Sequence, residues 1–253
     1  HTFTIQGKLM KRFLSILIAI LFVIVGFSVL GCTSTKNVAT SQLSTEDFQN
    51  LNLDPAMNRQ KVQNGTIIQC WCWSFNTIKE NLPDIARAGF KAIQTSPINA
   101  CREGDEKGMA LMSNTRTGGK WYYHYQPIAW KIGNYQLGTR EEFKAMCEEA
   151  EKYGISVIVD VLPNHTSSYL PDVLPEFIEA VGGMDKLLHE NGRRPIKNWS
   201  NRYEGTTGQM GGLPDVNTEN PLFQEYFMDY MNDTILCGAD GFRFDTAKHI
   251  GLP

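Results

Sequence analysis

One short segment carries the residue types best suited to covalent chemistry. In Gly241-Phe-Arg-Phe-Asp-Thr-Ala-Lys-His249, the alternation of side chains predicts a strand on which Arg243 and Asp245 share one face. A guanidinium beside a carboxylate stabilises the charged carboxylate, and a positioned, ionised carboxylate is the nucleophile that covalent glycosidases use. The same pair would also serve as an ion pair that only steadies the end of a strand. Taken by itself, the segment favours neither interpretation.

Two further segments place polar residues at comparable positions. Ile155-Ser-Val-Ile-Val-Asp-Val-Leu-Pro-Asn-His165 is a β-branched run that becomes polar at Asn164 and His165. Gly212-Leu-Pro-Asp-Val-Asn217 is rich in turn residues and carries Asp215. Taken in chain order, residues 155–165, 212–217 and 241–249 resemble the sequence motifs of the α-amylase family of glycoside hydrolases.

The resemblance covers the chain from about residue 65 to residue 253. In detail, the chain resembles the secreted bacterial saccharifying α-amylases. It extends through Trp71-Cys-Trp-Ser-Phe-Asn76, Ala92-Ile-Gln-Thr-Ser-Pro97, Tyr125-Gln-Pro127 and Ile196-Lys-Asn-Trp-Ser200.

The elements that would position these residues alternate between strands and helices, which favours parallel βαβ units. Hydrophobic periodicity predicts strands over residues 65–73, 91–98, 155–162 and from 240, and helices over 77–88, 139–153 and 220–236. Thr139 and Glu142 are spaced for a capping box. Residues 99–137 are expected to form a long loop.

The resemblance implies an α/β fold, the (β/α)8 TIM barrel of α-amylase type, truncated after strand 4. An irregular insertion, residues 163–218, would follow strand 3. Strands 1–3 would then occupy residues 65–162, and residues 219–253 would form a helix and strand 4. The family's Glu acid/base and second Asp lie on later strands, so this sequence would supply one of the two carboxyl groups that retaining glycosidases need. The expectation is an incomplete catalytic domain that is inactive alone.

The resemblance also implies roles for individual residues. Asp245 would be the nucleophile, Arg243 its positioning cation, and His165 a hydrogen-bond donor to the sugar. Asp160 would support Arg243 from the neighbouring strand. The implied substrate contacts are Tyr122, Tyr125, Gln126, Lys248 and His249.

A calcium ion is the implied cofactor. Its ligands would be Asn164, Asp215, the main-chain oxygen of His249 and the carbonyl of Thr206. This donor set is chemically reasonable, because a hard cation prefers carboxylate, amide and carbonyl oxygens. The alternative is that Asn164 only caps a turn and that Asp215 lies on the surface.

Residues 1–32 are expected to comprise upstream residues 1–9, which precede a plausible start Met, and then a segment with the pattern of a secretory signal. Met10-Lys-Arg precedes an apolar run over residues 13–30 and then Gly31-Cys32. The ending resembles a lipoprotein box, which predicts a secreted protein anchored to the outer face of a bacterial membrane by lipidated Cys32. A signal-anchor helix is the alternative. Residues 33–64 would form a polar tether and lead-in.

The composition of the chain excludes few classes of function. A formal net charge of −3 gives no electrostatic reason to expect nucleic-acid binding. Five of the six cysteines remain after Cys32, and their spacing favours buried free thiols.

The function that the resemblance implies is retaining endo-hydrolysis of α-1,4-glucosidic bonds in starch, glycogen and maltooligosaccharides. The alternatives are an α-glucan transglycosylase of the same family and a non-catalytic protein that only holds starch.

Overall fold

In a computed structural model of the chain, the described residues are 65–103 and 120–251. The predicted signal segment, Cys32 and the tether therefore lie outside the described residues. Within them, no helix combines the length and the apolar character needed to cross a membrane.

The described residues form six strands and six α-helices. The strands are β1 (Ile67–Cys70), β2 (Ala92–Thr95), β3 (Asn99–Cys101), β4 (Pro127–Ile132), β5 (Ser156–Val161) and β6 (Gly241–Phe244). The helices are α1 (Phe75–Arg87), α2 (Arg140–Lys152), α3 (Pro175–Ala180), α4 (Met184–Leu187), α5 (Arg202–Thr207) and α6 (Pro221–Leu236).

Four parallel strands form the main sheet in the order β1-β2-β5-β6. The connection from β1 to β2 contains α1, and α2 and α6 precede β5 and β6, so the predicted βαβ alternation is confirmed. The inner strands β2 and β5 are mostly buried, as strands covered on both faces must be. The α/β fold predicted from the sequence is confirmed, and the described sheet is a partial barrel.

The prediction of a long loop over residues 99–137 is wrong in part. β3 and β4 form an antiparallel pair in this stretch, with shifts of register on both sides of Ala100. A strand of three residues has too little alternation to be recognised in a sequence, and irregular pairing weakens the pattern further.

Local signals set where the helices begin. The hydroxyl of Ser74 accepts a hydrogen bond from the backbone N–H of Thr77 (3.1 Å), which caps α1. At α2 the predicted capping box is present. The hydroxyl of Thr139 accepts from the N–H of Glu142 (3.2 Å), and the Glu142 carboxylate accepts from the N–H of Thr139 (2.8 Å).

One hydrophobic core joins the sheet to its helices. Phe75 of α1 and Phe143 of α2 pack with ring centroids 5.2 Å apart. Trp130 of β4 packs against Phe177 of α3 and Phe223 of α6 at 5.2 and 5.0 Å. The first half of the insertion is thus fastened to the core through aromatic contacts. Cys70, Cys72, Cys101, Cys147 and Cys237 are buried free thiols, as predicted.

Candidate active site and cation site

The predicted catalytic pair lies at the C-terminal edge of the sheet, where β5 and β6 end side by side. The backbone register places Asp160 opposite Arg243. The guanidinium Nη1 of Arg243 donates to both carboxylate oxygens of Asp160 (2.9 and 3.1 Å) and to Oδ1 of Asp245 (2.7 Å). Arg243 is therefore a cation fixed between a fully buried carboxylate and a partly exposed one.

Asp160 also accepts a hydrogen bond from the hydroxyl of Tyr125 (3.0 Å). Burial raises the pKa of Asp160 to about 6, against the opposing effect of the hydrogen bonds and charge of Arg243. Burial and the charge of Asp160 raise the pKa of Tyr125, which keeps it a neutral phenol. The resemblance implies only a substrate contact for Tyr125, and the sequence does not predict this hydrogen bond because it joins residues 35 positions apart.

The backbone turns sharply after Asp245. Its N–H donates to the carbonyl of Val161 (2.9 Å), which ties the residue to the end of β5. Thr246 then adopts φ 53, a left-handed conformation that residues with a branched side chain rarely occupy. Backbone strain of this kind is concentrated at functional sites, where the surrounding structure holds it in place.

His165 is buried one residue after Asn164. Its Nε2 lies 3.0 Å from the carbonyl oxygen of Tyr125 and its Nδ1 lies 3.4 Å from the side-chain nitrogen of Asn164. Burial lowers the pKa of His165, so its ring is neutral and Nε2 donates to the carbonyl. The role of His165 as a donor to sugar stays a prediction, and it would require the ring to exchange this partner.

The other predicted substrate contacts lie in different surroundings. Tyr122 is exposed and packs edge-on against Trp121, with ring centroids 6.0 Å apart. Gln126 is buried, and its side-chain oxygen accepts from the N–H and the hydroxyl of Ser168 (3.1 and 2.9 Å), so it ties the loop after β5 to β4. Lys248 is exposed at the rim. Their substrate-binding roles stay predictions.

The predicted calcium ligands lie in two pairs, Asn164 with Asp215 and Thr206 with His249. The carbonyl of Asn164 accepts from the N–H of Val216 (2.8 Å), and an antiparallel bridge joins His165 to Asp215. Nδ1 of His249 lies 2.7 Å from the carbonyl oxygen of Gly205, the residue before Thr206. The four candidate ligands are buried: Asn164, Thr206, Asp215 and His249.

Asp215 has one carboxylate oxygen engaged and one free. Oδ2 lies 2.6 Å from Nδ1 of His189, whereas Oδ1 is buried and has no hydrogen-bond partner among the described residues. Burial raises the pKa of Asp215 to about 6, although the hydrogen bond and charge of His189 lower it. A buried carboxylate oxygen without a partner is costly, and a bound cation would satisfy it.

The donor set therefore fits a hard cation. Over residues 65–103 and 120–251, no three His, Cys, Asp or Glu side chains cluster as a metal site. The predicted set does not depend on such a cluster, because only Asp215 supplies a carboxylate and the other ligands are an amide and two carbonyls. Oxygen ligands of this mixture are typical of calcium.

A parallel α/β sheet that carries its polar residues at the C-terminal edge is characteristic of barrel enzymes. The sequence profile of the alpha amylase catalytic domain matches residues 64–253. The chain therefore belongs to the α-amylase family of glycoside hydrolases.

Two α-amylases are similar to this chain in sequence, and one solved structure is similar to it in fold. An α-amylase of Butyrivibrio fibrisolvens is 51% identical over 197 residues, which cover 78% of this chain and 20% of that protein. An α-amylase of Clostridium acetobutylicum is 34% identical over 251 residues, covering 97% of this chain and 30% of that protein. The crystal structure of α-amylase I from Eisenia fetida with maltohexaose has a TM-score of 0.61 at 19% identity, covering 74% of this chain and 38% of that one. The chain thus spans less than a third of the length of the first two relatives.

Proposed function

We propose that the protein to which this chain contributes hydrolyses internal α-1,4-glucosidic bonds of starch, glycogen and maltooligosaccharides with retention of configuration. The observation that carries the proposal is Arg243 held between Asp160 and Asp245 at the C-terminal edge of the sheet. Membership of the α-amylase family supports the substrate class, as does the maltohexaose bound to the Eisenia fetida enzyme.

In the proposed reaction, Asp245 attacks the anomeric carbon and forms a covalent glycosyl-enzyme intermediate. Arg243 holds the attacking oxygen in place through its hydrogen bond to Oδ1 of Asp245. Because Arg243 is itself fixed by two hydrogen bonds to buried Asp160, the nucleophile is oriented before substrate binds. A second carboxyl group, which the family supplies from a later strand, would protonate the leaving oxygen and then activate water.

Aromatic and polar residues at the rim would bind the glucan. Tyr122, Tyr125 and Gln126, from the segment before β4, would be among these contacts. Lys248 and the ring of His249 would contact the sugar on the leaving side.

Calcium is the proposed cofactor. Asn164, Asp215 and the carbonyls of Thr206 and His249 would hold it, and it would neutralise the buried charge of Asp215. The ion would connect the insertion to the loop after β6, and in this way it would stabilise the site without entering the reaction.

Replacing Asp245 with Asn tests the nucleophile. The amide keeps the size of the side chain but cannot form the covalent bond, so turnover should almost disappear while binding of maltooligosaccharides persists. Starch hydrolysis should be measured in a protein that joins this chain to the remaining strands of the barrel, with the chain alone assayed in parallel. A loss of less than about tenfold, or ~1.4 kcal/mol of barrier, would rule Asp245 out. Glucan products longer than the substrate would instead identify a transglycosylase.

A further inference from the structure

His189 occupies a position that neither the sequence motifs nor the proposed reaction accounts for. Its side chain is mostly buried, and it bridges two carboxylates. Nδ1 lies 2.6 Å from Oδ2 of Asp215, and Nε2 lies 2.6 Å from Oε2 of Glu219. Asp215 is buried, whereas Glu219 is more than half exposed.

The backbone also holds His189 in this position. The N–H of His189 donates to the carbonyl of Asp215 (3.3 Å), and the N–H of Asp215 donates to the carbonyl of Gly192 (2.9 Å). A Cβ atom at Gly192 would lie 2.6 Å from the carbonyl oxygen of Asp215, so a side chain there would push the two segments apart. The turn over residues 189–192 is therefore packed directly against Asp215.

The two carboxylate oxygens of Asp215 have different surroundings. Oδ2 is held by His189, while Oδ1 is buried with no partner among the residues described. A carboxylate that is free to rotate would exchange the two oxygens, and the hydrogen bond from His189 prevents the exchange. Outer groups that hold a metal-binding carboxylate commonly account for a 10–100-fold difference in metal affinity.

We propose that His189 is a positioning residue of the cation site, which holds Asp215 so that Oδ1 faces the calcium ion. The inference rests on the proposed calcium site and extends it to a residue that does not touch the ion. The hydrogen bond between Nδ1 of His189 and Asp215 sets the affinity for calcium. The hydrogen bond between Nε2 of His189 and Glu219 only fixes the orientation of the imidazole ring.

Two amide substitutions separate these bonds. In His189→Asn the amide nitrogen takes the place of Nδ1, so it still donates to Asp215 but cannot reach Glu219. In His189→Gln the amide nitrogen takes the place of Nε2 and donates to Glu219 alone. His189→Ala removes both bonds. Calcium affinity of the full chain, freed of metal by chelation, would be measured by titration calorimetry, and the melting temperature of each variant would be recorded in chelator.

We expect His189→Asn to bind calcium within about threefold of the unmodified chain, and His189→Gln and His189→Ala to bind about 10–100-fold more weakly. If His189→Gln and His189→Ala leave the affinity unchanged and only lower the melting temperature in chelator, His189 merely ties the insertion to the segment before α6 and the inference is wrong. An affinity lost equally in Asn and Gln also refutes it. If the unmodified chain binds no calcium, the proposed cation site fails first, and the inference fails with it.

Discussion

The parallel sheet and the second half of the insertion are ordered by different physical means. The sheet is built from apolar residues that pack into one core with α1, α2 and α6. In the polar segment, which we define as residues 189–215, the only buried apolar side chains are those of Ile196 and Pro214. Hydrogen bonds, ion pairs and tight turns hold this segment instead.

The difference matters because the candidate site takes residues from both regions. Arg243 is fixed by the register of β6, and Asp245, the residue directly after β6, is tied to β5 by the hydrogen bond from its N–H to Val161. Asp215 and Thr206 come from the polar segment, whose hydrogen bonds each contribute only about 0.5–1.5 kcal/mol net. A bound ion would supply the stability that apolar burial supplies elsewhere. We therefore expect changes in the sheet to act independently of calcium and changes near the polar segment to depend on it.

The largest expected effect belongs to the core. Phe143 of α2 is fully buried against Phe75, so Phe143→Ala should lower the free energy of unfolding by about 3–5 kcal/mol. Denaturant unfolding should give the same loss in calcium and in chelator. Glu148→Ala on the exposed face of the same helix is the control and should change little. A loss that doubles in chelator would contradict the division between the two regions.

Calcium itself should have the next largest effect. At a hundredfold excess over its dissociation constant, an ion that binds only the folded state adds about 2.7 kcal/mol to the free energy of unfolding. Thermal melting with and without chelator measures this increment, and Asn164→Ala should reduce it. Asn198→Ala, an exposed change in the polar segment, should preserve it. If chelation leaves melting unchanged, calcium does not stabilise the insertion.

A buried histidine in the loop before β4 should make stability depend on pH without involving calcium. Both ring nitrogens of His124 are buried and lack hydrogen-bond partners within the described residues, and burial lowers its pKa to about 4. The unfolded chain, with a histidine pKa of about 6.5, takes up the proton first as pH falls. Stability from this residue is therefore lost between about pH 6.5 and pH 4, and the loss stops once the folded protein is protonated too.

His124→Leu should remove this loss. Between pH 7 and pH 5 the unmodified chain should lose about 2 kcal/mol more of its free energy of unfolding than the variant. Urea unfolding at the two pH values measures the difference, in calcium throughout. Equal losses in both proteins would mean that His124 finds a partner or reaches solvent.

The sequence predicted the sheet better than the contacts across the site. The four parallel strands and the Thr139–Glu142 capping box depend on local patterns, which a single sequence displays. The resemblance to the α-amylase motifs assigns roles to Asp245, Arg243 and Asp215, and these roles stay predictions. By contrast, the bond from Tyr125 to Asp160 and the bridge through His189 join residues 26 to 35 positions apart, and no local pattern marks them.

The smallest effect we predict lies where the polar segment meets the loop after β6. The guanidinium of exposed Arg202 in α5 donates to the carbonyl of Lys248 and to that of Ile250 (2.8 Å), on either side of His249. Arg202→Ala should lower the free energy of unfolding by about 1 kcal/mol in chelator, because exposed hydrogen bonds compete with water.

In calcium the loss from Arg202→Ala should shrink, because the ion would bind the carbonyl of His249 and hold the same loop. Arg202→Lys keeps the charge but cannot span two carbonyls, so it should recover only part of the loss. Paired melting curves in calcium and in chelator measure the loss for each of the two variants. If the loss from Arg202→Ala is identical in the two conditions, the loop after β6 is fixed without the ion. Calcium would then stabilise the polar segment at Asp215 and leave that loop unaffected.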